Sequence, residues 1–165
     1  MSSMSFDTYL KLKGIDGEST AEGMTKTIEI FSFSFGASNP ATIGPQGGGI
    51  GTGRVSISSL NLMKRTDYTS PALFEHCCTG KHIPVANLYC RKAGGKQGVF
   101  LELELTECVV ESVQWSGSSG GDDVPTESVS LAFQKVKFGF SKQKGDGSME
   151  PALEKIWDLT KVSTK

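Results

Sequence analysis

Ser128-Val-Ser-Leu-Ala-Phe-Gln-Lys-Val-Lys-Phe-Gly-Phe140 holds two alternating patterns that are out of phase. Val129, Leu131 and Phe133 fall on odd positions, whereas Val136, Phe138 and Phe140 fall on even ones. Alternation with a period of two marks a strand with one face in a core and the other in water. A one-residue slip turns every later side chain to the opposite face. A bulge or sharp bend does the same within a single strand. The slip recurs where Ile28 and Ile30 give way to Phe31, Phe33 and Phe35, and where Val55 and Ile57 give way to Leu60 and Leu62. Three slips predict long strands that bend around a corner. A small barrel closes in this way, and a strand passes from one sheet to another in the same way. A flat sheet would need no such slips.

Outward from these segments the same period continues. Phe6, Thr8, Leu10 and Leu12 share one face of a strand, with Asp7, Tyr9, Lys11 and Lys13 on the other. In Val99-Phe-Leu-Glu-Leu-Glu-Leu105 the odd positions are aliphatic, and Glu102 and Glu104 face water. One helix is signalled, at about 70–79. Thr69-Ser70-Pro71 offers an N-cap and a first-turn proline, and Gly80 offers a stop. Leu73 with Cys77, and Phe74 with Cys78, form i,i+4 apolar pairs. So short a helix needs a partner surface, so it is expected to pack on the barrel. Residues 151–159 fit either a terminal strand or a short helix. Gly, Ser and Pro mark loops at 14–26, 36–53, 116–125 and 143–150. The expected fold is mainly β: a β-barrel or two packed antiparallel sheets with one flanking helix. The expected organisation is one domain over 1–165 with a long glycine-rich loop at 36–53.

The totals narrow the function. The 17 basic and 18 acidic side chains leave a formal charge of −1, without the basic excess of a nucleic-acid binder. No apolar run approaches the ~18 residues of a membrane span, so no membrane insertion is expected. The first residues lack a basic stretch followed by an apolar core, which predicts synthesis in the cytoplasm and export only by a route that reads no cleaved leader. Cys77, Cys78, Cys90 and Cys108 show no C-x-x-C spacing and are expected to be reduced, mostly buried thiols.

Gly44-Pro-Gln-Gly-Gly-Gly-Ile-Gly-Thr-Gly-Arg54 has the glycine density of a phosphate loop. In the best register, Gly48 to Gly53, Arg54 and Val55 stand where a P-loop needs Lys and Ser/Thr. The segment after Arg54 reads as a strand, with no helix N-terminus to face a phosphate. A strand connection, or a loop ordered against another protein subunit, fits better. His76, Cys77, Cys78 and His82 have zinc-ligand chemistry, but their spacing matches no recurrent site. Cys78 or Cys90 with His82 lacks the setting of a cysteine nucleophile. The adjacent Asp122 and Asp123 lack the alternate spacing of a calcium loop. These readings predict no catalytic residue, metal or cofactor. Exposed strand edges would then point to self-assembly, although a monomeric ligand-binding barrel fits the same composition.

Several stretches together resemble one family. They are Phe31-Ser-Phe-Ser-Phe-Gly36 with the glycine-rich loop after it, Ser70-Pro-Ala-Leu through Thr79-Gly-Lys-His-Ile-Pro84, Arg91-Lys-Ala-Gly-Gly95, and Thr126-Glu-Ser-Val-Ser-Leu-Ala-Phe-Gln-Lys-Val136. Their order and spacing are similar to the hemolysin-coregulated proteins, Hcp, which form the tube of the bacterial type VI secretion system. The likeness runs from about residue 6 to 158. It implies a barrel with one flanking helix, six copies in a ring, and rings stacked into a tube that is expelled from the cell. It also implies partnership with a spike protein, a contractile sheath and effectors carried in the channel, or, as an alternative, a cargo adaptor whose rings do not stack. By this resemblance Ser34 faces the channel. The loop at 36–53, with Gly44, Gly47, Gly48, Gly49, Gly51 and Gly53, reaches the neighbouring ring. Phenylalanines stand where the family has tryptophans in the 31–35 strand, which bears on which cargo binds. The adjacent Cys77 and Cys78 are not a family hallmark.

Overall fold

The alternating segments become strands whose apolar positions share one core. The structure is a computed structural model describing residues 5–43, 50–52, 54–93, 98–121 and 123–161. In chain order the elements are β1 (Phe6–Leu12), β2 (Ile28–Ile30), β3 (Ser32–Ser34), β4 (Ala37–Ser38), β5 (Ala41–Ile43) and β6 (Ile50–Thr52). There follow β7 (Ser56–Ile57), β8 (Leu60–Arg65), α1 (Ser70–Thr79), β9 (Ile83–Lys92), β10 (Val99–Ser116), β11 (Thr126–Phe140) and β12 (Leu153–Asp158). The main sheet runs β2-β1-β9-β10-β11-β8-β3, with β12 also beside β11. Every described pairing is antiparallel.

Each slip in the alternation marks a change of partner. β2 and β3 stand at opposite ends of the sheet order, yet only Phe31 separates them in the chain. The strand leaves β1, bends at Phe31, whose N–H donates to the Met63 carbonyl at 2.8 Å, and joins β8. This bend brings the two ends of the sheet together into a nearly closed barrel. The slip between Ile57 and Leu60 is where the chain leaves the small β4–β7 sheet for the barrel. There the Ser58 hydroxyl bonds both the N–H and the carbonyl of Gly36, at 2.8 and 3.1 Å. The slip in β11 is where its partner changes from β8, along 126–131, to β12, along 135–140.

That last corner is wider than the sequence reading expected. Thr106 pairs with Lys135 and with Val85, and Cys108 pairs with Phe133 and with Ile83. Glu107 therefore stands between Gln134 and Pro84, at φ 53°. Beside this line the buried set shifts from Leu103 and Leu105 to Cys108 and Val110 in β10. In β9 it shifts from Ile83 to Ala86 and Leu88. Three adjacent strands thus change phase together. Beyond the corner the core face is only part covered: Val136 is buried, but Phe138 and Phe140 are 41% and 46% exposed.

The helix spans Ser70–Thr79 and packs on β10. Gly80, at φ 71°, ends it, its N–H bonded to the His76 carbonyl. Thr69 is not the side-chain cap that the sequence suggests. Its backbone is already helical, and its hydroxyl donates to Asp67 instead. Leu73 is buried and Cys77 packs on the core, whereas Phe74 and Cys78 lie outside, with the Phe74 ring edge-on to Trp115 at 5.9 Å. The thiols are therefore less buried than expected: Cys90 and Cys108 are inside, Cys77 is half-buried and Cys78 is exposed. Residues 151–159 resolve in favour of a strand. The expected loop at 36–53 contains β4 and a hairpin, β5 with β6.

Candidate functional site

Ser34 lies on β3, exposed, opposite Asn61 of β8. Alternation sends Phe33, Leu62 and Val129 into the barrel and leaves their neighbours outside. The outer row continues across strands from Ser34 through Asn61 to Ser130 and Ser112. A second row runs from Ser32 through Met63 to Ser128 and Gln114. The Ser130 hydroxyl donates to Asn61 Oδ1 at 2.6 Å, and Asn61 Nδ2 donates to the Ser59 carbonyl at 3.3 Å. These two rows make an uncharged sheet face of short hydroxyls and amides around one exposed thioether, Met63. Such a face supplies donors and acceptors without a fixed charge, suited to weak, repeated contacts.

Gly51 lies in β6, opposite Thr42. Gly44, Gly47, Gly48, Gly49 and Gly53 lie outside the described residues. The chain after Gly53 enters β7, a strand, so this loop does not open a helix as a phosphate loop does.

The residues with metal-ligand or nucleophile chemistry have other partners. His76 Nδ1 is 2.8 Å from the Ala72 carbonyl, and His82 Nδ1 is 3.3 Å from Glu107 on the surface. No group of three His, Cys, Asp or Glu is placed to hold a metal among the described residues. Burial, and then the neighbouring Glu107, push the Cys108 thiol up to about 12, against a bond from the Ala86 backbone. Burial also raises Cys90, partly offset by its contact with Thr8. Both thiols stay protonated at neutral pH and so lack nucleophilic character. Glu102 and Glu104 lie on the outer face as expected. Asn87 Nδ2 reaches them at 3.1 and 3.4 Å, and Lys137 lies 3.6 Å from Glu104. The Tyr89 hydroxyl beside them is raised by burial and then by these two carboxylates.

Sequence reasoning missed a buried polar cluster at the start of α1. Lys64 Nζ donates to Glu127 Oε1 at 2.7 Å and to Asp67 Oδ1 at 3.0 Å, and the Ser70 hydroxyl donates to Glu127. The cluster ties α1 to β8 and β11. Arg91, also buried, lies over the Tyr9 ring at 5.0 Å and donates to the Glu22 carbonyl, fastening loop 14–26 to the barrel.

Comparison with known proteins decides the family. The sequence model described as "Type VI secretion system effector, Hcp" matches residues 9–140. The chain belongs to the Hcp family. Protein hcp1 of Pseudomonas aeruginosa is 37% identical over 158 residues, covering 94% of this chain and 96% of that protein. A solved type six secretion system protein superposes with a TM-score of 0.91 at 31% identity, over 96% of this chain and 99% of its own. Hcp1 from Salmonella typhimurium gives 0.74 at 32% identity, over 95% and 96%. As an Hcp-family member the chain is a secreted, structural component of type VI secretion. No described helix is long and apolar enough to cross a membrane.

Proposed function

We propose that this chain is the tube subunit of a type VI secretion system. Six copies close into a ring, the rings stack into the expelled inner tube, and effectors travel in the channel. Spike protein and contractile sheath are its further partners. The family match over residues 9–140 carries this reading. A ring of one kind of chain is heterologous: one surface of each copy fits a different surface of the next.

Within that assembly the uncharged face around Ser34 lines the channel and holds cargo. Each contact is weak, and six copies sum them by avidity. The exposure of Ser34 and its short polar neighbours supports this placement. The β5–β6 hairpin and the glycines around it, Gly44, Gly47, Gly48, Gly49, Gly51 and Gly53, make the contact between rings. Among the described residues β5 and β6 pair only with each other, which supports an outer edge open to another chain.

Co-purification with cognate effectors tests the channel. Ser34→Arg is expected to abolish it while leaving the ring intact; unchanged recovery of every effector would refute the channel role of this face.

A further inference from the structure

We infer that Met63 is the side chain that selects cargo, and that it selects polypeptide surfaces on which an apolar or aromatic side chain stands among uncharged polar ones. The inference rests on the channel reading above and names the class of cargo that the face around Ser34 holds.

Met63 lies in the middle strand of that face, between Ser32 of β3 and Ser128 of β11 and in register with both. A serine is too short to cover a methionine beside it, and Met63 stays 40% exposed. Its row continues to Gln114, and the row beside it holds Ser34, Asn61, Ser130 and Ser112. Among these residues Met63 alone is apolar.

The polar groups around it are partly engaged with one another. Ser130 donates to Asn61 Oδ1, and Asn61 Nδ2 donates to the Ser59 carbonyl. A cargo that meets only hydroxyls and amides here exchanges bonds to water for similar bonds, with little net gain. The thioether differs. An apolar group laid on it removes apolar surface from water. Its unbranched chain also adapts to the shape it meets, and sulfur makes favourable contacts with aromatic rings. The hydroxyls thus tolerate any neutral polar surface, and the methionine sets the preference. One exposed methionine on a monomer is ordinary. In a ring of six it recurs six times around one channel, and a small preference at each copy multiplies.

Charge decides the class of occupant. The two rows hold no ionised side chain. Their borders carry one of each sign: Arg65, in the next row with Thr126 and held over the Phe31 ring at 5.7 Å, and Glu111, exposed at the bulge before Ser112. A nucleic acid needs a series of cations along its phosphates, and a strongly charged protein surface would lose hydration here without a counter-charge. A neutral polypeptide surface meets neither obstacle.

Two short fluorescein-labelled Gly-Ser peptides test this, one with a central Trp and the other with Ser in its place. Assembled wild-type rings should bind the Trp peptide about 5-fold more tightly in fluorescence anisotropy. Met63→Ser rings, checked for fold by circular dichroism, should bind both peptides equally, and Met63→Leu rings should keep the preference. Ser34→Arg should weaken both peptides alike. Wild-type rings that show no preference for the Trp peptide overturn the role of Met63, and so does a preference that survives in Met63→Ser; weakening of both peptides by Ser34→Arg would leave the channel reading standing in either case. Ser34→Arg rings that bind both peptides as the wild type does overturn the channel reading and this inference together.

Discussion

Lys64 and Glu127 face each other in register across β8 and β11, and neither side chain touches solvent. Removing one partner of a buried pair strands a charge and costs about 3–5 kcal/mol, whereas exchanging both for apolar groups is often neutral. Lys64→Met, which leaves the buried Glu127 carboxylate without a cation, is therefore expected to lower unfolding free energy in urea by about 3–5 kcal/mol, and Lys64→Met with Glu127→Leu by far less. Equal losses from the single and the double change would show that packing, not charge, governs the site. Cys108 gives a pH dependence. Its folded pKa, at about 12, lies above the ordinary thiol value of 9.0, so the native chain holds the proton more tightly than the unfolded one. Stability from this group is complete below pH 9 and falls as pH rises from 9 towards 12. Cys108→Ala should flatten that fall in a pH series of urea melts; an unchanged slope would contradict it. Both features were partly legible. Lys64 continues the parity of Leu60 and Leu62, and Glu127 that of Val129 and Leu131, so alternation already puts both on the core side. A reading that counts only apolar residues ends the pattern one residue early. That they meet depends on strand register, which sequence spacing alone does not reveal.

At the scale of elements, the slips in alternation located the corners because each turns a strand from one partner to another. The slip in β10 was present too, between Leu105 and Cys108. It was overlooked because the apolar run was read only to 105. Glu107 absorbs it with a left-handed backbone that favours glycine. Glu107→Gly should raise stability by about 1 kcal/mol, since the lost pair with His82 is exposed and worth little; a lower melting temperature would contradict this. The 36–53 segment was less legible. Glycines, serines and a proline read as loop, yet Ala41–Ile43 and Ile50–Thr52 pair as a hairpin. Strands of three residues are too short to leave a periodic trace. Removing 43–50 should spare ring formation and prevent stacking, as scored by electron microscopy; normal tubes from that deletion would dissociate the hairpin from stacking. The helix stop at Gly80 was plain, because αL geometry selects glycine. Its start was not, because Asp67 recruits the Thr69 hydroxyl that would otherwise cap it.

At the scale of the molecule, the nearly closed barrel leaves an uncharged sheet face outside, and among the described residues β12 pairs on one side only. Phe6, Phe31, Leu153 and Ile156 are exposed in a chain of nearly balanced charge. A monomer with an open strand edge is prone to uncontrolled pairing, whereas a closed ring covers subunit surfaces with a fixed number of copies. Family and barrel were readable from the sequence because apolar parity and motif order run along the chain. The sheet face around Met63 was not, because it combines residues distant in sequence. Native mass spectrometry of the purified wild-type protein, with negative-stain images of the same sample, tests the central claim most directly. The account predicts a hexamer seen as rings with an open centre; a chain that remains monomeric at high concentration would contradict it.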